Sequence, residues 1–317
     1  MIFLQLCQFI FCGAKNKCMH MLWQKIRRRV IREINQIPFV RYQADIAYQI
    51  AVENHKNYLP TISQDDLRLV EKIQTEGVVI TSLDDLGILS NSQFIDSAKK
   101  LMVKMVANNS IVKNQFVIHA TSQQLMEHPQ IFLWGLEQRL LNIVEHYIGL
   151  PIAYHGAYFR RDIANSLEIG SRLWHIDPED RKVLKIIVYL NNIGESEGPF
   201  QYIPQPLTAK VAQSLKYTYG YIRDSTMQKV ISPTNYKSCI GNSGTVVFAA
   251  TGNIFHRGKP PETSDRYTIF FDYTSRRKQD LNYINFTLPH KDLVLLSQNL
   301  SEQQQQCLFW QQNLKLN

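Results

Sequence analysis

Residues 183–190 (VLKIIVYL) and 266–273 (RYTIFFDY) are almost unbroken runs of β-branched, aliphatic and aromatic residues. Such runs read as strands, and Asn191 and Asn192 close the first of them. Shorter strand-like stretches lie at 152–161, 199–203, 245–250 and 254–257, parted by Gly, Pro and Asn. Many short strands with such turns fold as a sandwich or a barrel. From residue 151 onward the chain is therefore predicted to be mainly β, and helices should flank that core.

The texture before Pro151 is different. Helical patterns cover 43–58, 64–75, 92–108 and 129–148, the last ended by Gly149. Residues 77–81 form one early β-branched run, and 84–89 read as a turn. A short helix is expected over 206–217, and the polar run 303–306 should also lie on a helix. The predicted organisation is an apolar and basic extension (1–37), a mainly helical region (38–150), a β core (151–275) and a partly helical tail (276–317).

With 44% apolar and 20% charged residues, the chain has the balance of a globular protein. Its net charge of +8 is concentrated in one place. Residues 15–41 hold eight Lys and Arg against one acid, Glu33. The basic charge thus belongs to a segment outside the predicted core, and no nucleic-acid-binding face is expected. Residues 22–37 repeat Ile26, Val30, Ile34 and Ile37 at helical spacing. Two readings fit them: an amphipathic helix packed on the domain, or one in weak contact with a membrane surface. The apolar run 1–12 is too short to span a bilayer, and its charge follows it rather than preceding it as in a secretory signal. The five cysteines form no CxxC pair, which suits free thiols in a reducing cytoplasm.

His175 and Asp177 are two residues apart at an expected strand end, where alternation puts both on one face. This HxD pattern is weak by itself. His256 lies in a short β segment further along, and only the fold can bring it close. Two imidazoles and one carboxylate are the donor set of non-haem Fe(II) sites with open positions. Arg266 starts the last strong strand, and Thr268, two residues on, faces the same way. An arginine inside a barrel needs an anion, and a guanidinium grips a carboxylate with two parallel hydrogen bonds. Together these residues describe a site for Fe(II) and a dicarboxylate.

Residues 174–204 and 244–273 carry, in order, HxD, GPF-x-x-IP, FHRG and SDR. These pieces resemble the phytanoyl-CoA dioxygenase family of Fe(II)/2-oxoglutarate oxygenases. The resemblance covers roughly 151–275 and implies a double-stranded β-helix, the cupin-like jelly roll. It implies that His175, Asp177 and His256 hold iron, that Arg266 binds the distal carboxylate of 2-oxoglutarate, and that Thr268 assists. It also implies consumption of O2 with release of succinate and CO2. Halogenating relatives have a small residue in place of the aspartate, so Asp177 favours hydroxylation. One departure is Pro204-Gln-Pro-Leu207, where the family often has Pro-Gly-Ser-His. That change is expected to reshape the loop over the site.

A small-molecule substrate is expected. Tyr158 and Arg160 share one strand face, and Trp174 and Lys185 lie close to the motif in sequence. Arg160 or Lys185 could hold an anionic substrate, or Lys185 could assist the cosubstrate. The competing reading pairs them with Asp162, Glu179 or Asp180. Trp174 is expected either to pack or to stack on substrate. The rival to an enzyme is a jelly-roll binding protein that keeps the fold without turnover.

Overall fold

The computed structural model describes residues 37–107, 114–277 and 287–311. The apolar run 1–12 and all but Ile37 of the basic helix expected over 22–37 lie outside the described residues. The chain divides at residue 56 into two compact units. In the first, the described element is the helix Pro38–His55, with Pro38 in its first turn, where its missing N–H costs nothing.

The second unit is built on two antiparallel sheets. Its strands in chain order are β1 (Val78–Ser82), β2 (Val117–His119), β3 (Ile152–Asp162), β4 (Leu184–Tyr189), β5 (Phe200–Tyr202), β6 (Lys237–Cys239), β7 (Thr245–Ala249), β8 (His256–Gly258) and β9 (Arg266–Ser275). The larger sheet runs β1-β7-β4-β9-β3-β2 and the smaller β6-β5-β8. A bridge between His175 and His256 extends the smaller sheet beyond β8. From β3 onward, successive strands alternate between the two sheets: β3, the His175 segment, β4, β5 and β6, β7, β8, β9. That winding is a double-stranded β-helix, a jelly roll with flanking helices. Its larger sheet also recruits β1 and β2 from the region expected to be mainly helical.

Each face of the larger sheet has its own cover. On the outer face, Phe271 of β9 meets Trp134 at 5.0 Å, and Trp134 stacks on Phe94 at 4.7 Å. These aromatics come from the helices Asn91–Ala107 and Gln130–Trp134. Helix Gln138–Ile148 packs beside them on β3, β4 and β9. Truncating a buried aromatic of this kind to Ala costs about 3–5 kcal/mol. The helix expected over 129–148 is thus two helices, broken at Gly135. A Cβ there would strike Phe271 and Tyr154, and the Gly135 carbonyl accepts from the Tyr273 hydroxyl at 2.6 Å. Close backbone approach to the sheet outweighs helical periodicity at that point.

The inner face packs Ile187, Tyr189 and Val247 against Phe200, Cys239 and Ile254. A second apolar cluster, with Trp174, Ile203, Val211, Met227 and Phe255, underlies the helix Gln205–Leu215. That helix begins directly after Pro204, so the departure at 204–207 forms a helix start. The run 303–306 lies on the helix Glu302–Leu308, begun by a Ser301 capping box. No helix among the described residues is long and apolar enough to cross a membrane.

Candidate metal centre

The β8 bridge sets the two imidazoles side by side. The His175 N–H donates to the His256 carbonyl at 3.1 Å, and the His256 N–H donates back to the His175 carbonyl at 2.9 Å. Residues paired this way point to one side of a sheet. The ring centroids are 4.2 Å apart. Asp177 is fixed by its own N–H, which donates to the Thr251 carbonyl at 3.0 Å. Its Oδ1 is 3.5 Å from His175 Nε2, and its Oδ2 is 3.7 Å from His256 Nε2. One ligand atom from each of the three lies within 4.8 Å of the others.

Protonation favours a cation here. Nδ1 of His175 faces the Leu173 carbonyl at 2.8 Å, and Nδ1 of His256 faces the Ile254 carbonyl at 3.2 Å. A carbonyl only accepts, so each neutral ring carries its proton on Nδ1 and turns the Nε2 lone pair toward the third ligand. Burial, then the neighbouring His175, pushes His256 down to about 3, and burial also lowers His175. Burial would raise the Asp177 carboxyl, but Lys185 and the two histidines hold it well below the ordinary range. Two neutral imidazoles and one carboxylate are thus ready at neutral pH.

These groups line a cavity of ≈ 220 Å³ between the two sheets. Its wall from the larger sheet is made by alternate residues, which share a face. They are Tyr158 and Arg160 of β3, Lys185, Ile187 and Tyr189 of β4, and Arg266, Thr268, Phe270 and Asp272 of β9. Arg266 lies directly across from Asp162 in the sheet, and Thr268 across from Arg160. Arg266 forms an ion pair with Asp162, its Nη2 3.1 Å from Oδ2, yet its buried Nε has no hydrogen-bond partner, nor has the buried Thr268 hydroxyl. Buried donors of this kind need partners. A bound carboxylate would supply both, so the cavity fits an anion at this end and a divalent ion at the histidines. Gly258 makes room for the guanidinium, since a Cβ there would lie 2.7 Å from Arg266 Nη2.

Lys185 and Arg160 both make ion pairs. Lys185 Nζ sits 2.8 Å from Asp177 Oδ2 and 3.9 Å from Asp272 Oδ2, so its close partner is the candidate metal ligand rather than Asp162, Glu179 or Asp180. Register explains this: Lys185 and Asp272 face each other across β4 and β9. Arg160 pairs with Asp162 at 2.6 Å. Asp180 is occupied by the backbone and side chain of Ser275.

Trp174 does not line the cavity, which removes it from the expected substrate contacts. It is fully buried, stacked under Arg257 at 4.6 Å and near Tyr236 at 4.7 Å, and its indole donates to Asp224 at 2.8 Å. Alternation is the cause, because Trp174 and His175 face opposite sides.

Several cavity residues escaped the sequence reading. Tyr221 stands edge-on to His175 at 5.0 Å, Phe200 stacks on His256 at 5.5 Å, and His119 and Ser171 join the rim. Phe200 carried a signal, since it belongs to the GPF piece. Tyr221 carried none. It reaches the site because Ile222 pairs with Trp174 through the backbone.

Fold and site together describe a jelly-roll protein with a buried His-Asp-His donor set. No family model and no curated protein matches the chain. Solved structures do. HygX from Streptomyces hygroscopicus, with nickel and 2-oxoglutarate bound, is 15% identical over 68% of this chain and 88% of its own, with a TM-score of 0.46. The epimerase SnoN, in complex with Fe3+, alpha ketoglutarate and nogalamycin RO, is 13% identical over 69% and 89%, with a TM-score of 0.47. EctD from S. alaskensis, with 2-oxoglutarate and 5-hydroxyectoine, is 16% identical over 68% and 76%, with a TM-score of 0.44.

Proposed function

We propose that the chain is an Fe(II)- and 2-oxoglutarate-dependent dioxygenase that oxidises a small molecule. One observation carries this reading. Two buried, unpartnered donors, Arg266 Nε and Thr268 Oγ1, share a single cavity with the His175, Asp177 and His256 ligand atoms. A metal-binding structural protein has no use for an anion subsite there. The ordered resemblance to the phytanoyl-CoA dioxygenase family supports the same reading, and so does the Asp177 carboxylate, which favours hydroxylation over halogenation.

In this reading His175, Asp177 and His256 would hold Fe(II), the two imidazoles offering Nε2 and Asp177 its carboxylate. Arg266 and Thr268 bind the distal carboxylate of 2-oxoglutarate. When bound, iron and cosubstrate supply the O2 chemistry that yields succinate, CO2 and an oxidised product. The protein's part is orientation and exclusion of water. Phe200 and Tyr221 wall the two imidazoles. Lys185, 2.8 Å from Asp177 Oδ2, holds that carboxylate ionised and in place. Tyr158, His119 and Tyr221 surround the remaining space, whose size suits a small molecule. Cys239 and Cys307 are buried free thiols, in keeping with a reducing cytoplasm.

The test is anaerobic addition of Fe(II) and 2-oxoglutarate, read as a metal-to-ligand charge-transfer band, followed by air and succinate assay. Wild type should give both signals, and His175→Ala neither. A wild-type protein that gives neither sinks the proposal and leaves a non-catalytic jelly-roll binding protein.

A further inference from the structure

We infer that Arg160 is a second guanidinium for the distal carboxylate of 2-oxoglutarate, coupled to Arg266 through Asp162. This rests on the function proposed above. Asp162 is fully buried and lies between two arginines. Arg160 Nη2 donates to its Oδ1 at 2.6 Å, and Arg266 Nη2 reaches its Oδ2 at 3.1 Å. One carboxylate thus serves two guanidiniums, and the trio holds one positive charge in excess. A buried charge without a counter-charge is costly, so the arrangement calls for one more anion.

The donors say where that anion goes. Arg160 lies directly across from Thr268 in the β3–β9 register, one pair along from Asp162 and Arg266. Arg160 Nε, Arg266 Nε and Thr268 Oγ1 are all buried without a hydrogen-bond partner. Arg160 and Arg266 both line the cavity. A single carboxylate has acceptor sites for all three donors, and its charge closes the count. Arg160 is also held in place: its guanidinium carbon lies 5.0 Å over the Phe270 ring, and Nη2 takes Ser171 Oγ at 3.3 Å as a second acceptor. A long side chain fixed on both flanks loses little freedom when it binds.

The full chain, loaded with Mn(II) without oxygen, is titrated with 2-oxoglutarate and with pyruvate by calorimetry. Pyruvate keeps the 2-oxo acid end and lacks the distal carboxylate. Arg160→Gln should weaken 2-oxoglutarate binding by about tenfold or more, the effect of losing a charge-assisted hydrogen bond, and should leave pyruvate and Mn(II) affinity as in wild type. Arg160→Lys keeps the charge but not Nε, should show a smaller loss confined to 2-oxoglutarate, and serves should the glutamine variant fail to fold. Equal weakening of both acids, or no weakening of 2-oxoglutarate, overturns the inference and leaves Arg160 to structure or to an anionic substrate. A wild type that takes up neither Mn(II) nor 2-oxoglutarate overturns the proposed function itself.

Discussion

The Lys185 ammonium lies 2.8 Å from Oδ2 of Asp177, on the same carboxylate that His175 and His256 approach. A divalent ion held by the same three side chains would share that buried charge with the lysine. Without the lysine, such an ion would be the main counter-charge. Lys185→Met is expected to destabilise the metal-free protein by about 3 kcal/mol, as breaking a buried pair does. Added Co(II) should then raise Tm more in the variant than in wild type. Scanning calorimetry with and without the ion checks both, and an equal rise in the two proteins would refute the idea.

Asp162 predicts a pH dependence. Burial works to raise its carboxyl, but Arg160 and Arg266 hold it below the ordinary value. Its folded value is thus lower than the unfolded value of about 3.9. Its stabilising contribution is complete above that unfolded value and is lost as pH falls through the folded one. Asp162→Asn should be less stable than wild type by about 3 kcal/mol at neutral pH. The gap should close on acidification, which urea unfolding from neutral pH down to about pH 3 would measure. A gap that stays constant contradicts the assignment.

Gly258→Ala separates function from folding. The added methyl would press on the end of the Arg266 side chain rather than on backbone. Tm should change little, while 2-oxoglutarate affinity should fall by about tenfold through displacement of the guanidinium. Unchanged affinity would mean that Arg266 does not bind the cosubstrate where proposed.

Arg257 is a structural counterpart. It is buried between Trp174 at 4.6 Å, Asp224 at 3.1 Å and Gln201 at 2.9 Å. Arg257→Leu should cost about 2–3 kcal/mol by leaving Gln201 Oε1 without its donor and the Asp224 carboxylate without its counter-charge, with only the neutral donors Trp174 and Gln228. Hydrogen exchange should quicken around residues 222–236, with β3 and β9 amides protected as before. Uniform loosening of the whole unit would show that Arg257 does not act on that segment in particular.

What the sequence disclosed, and what it hid, follows from range. The strands β4 and β9 were legible because eight-residue stretches of β-branched and aromatic side chains state their own conformation. His175 and Asp177 were legible because strand alternation is local. Partnerships across the sheet were not. One of the two readings of Lys185 paired it with Asp162, Glu179 or Asp180, yet register sets it against Asp272 and next to Asp177. Periodicity could not report that β1 would join β7, since a strand's pattern does not name its neighbour. The three-residue β6 is too short to leave a pattern. Tyr221 sits in a connection whose course is fixed by packing against Trp174, far away in the chain. Gly135 broke a regular helical pattern because of what lies beneath it.

The reciprocal hydrogen bonds of His175 and His256 join points about eighty residues apart, so the two rings can share an ion only after that long loop has closed. Neither segment offers more than a fraction of the donor set before closure. An ion that binds only the closed form acts on the lifetime of the native state. Its effect belongs in the unfolding rate, and refolding should proceed at the same pace whether or not the ion is present.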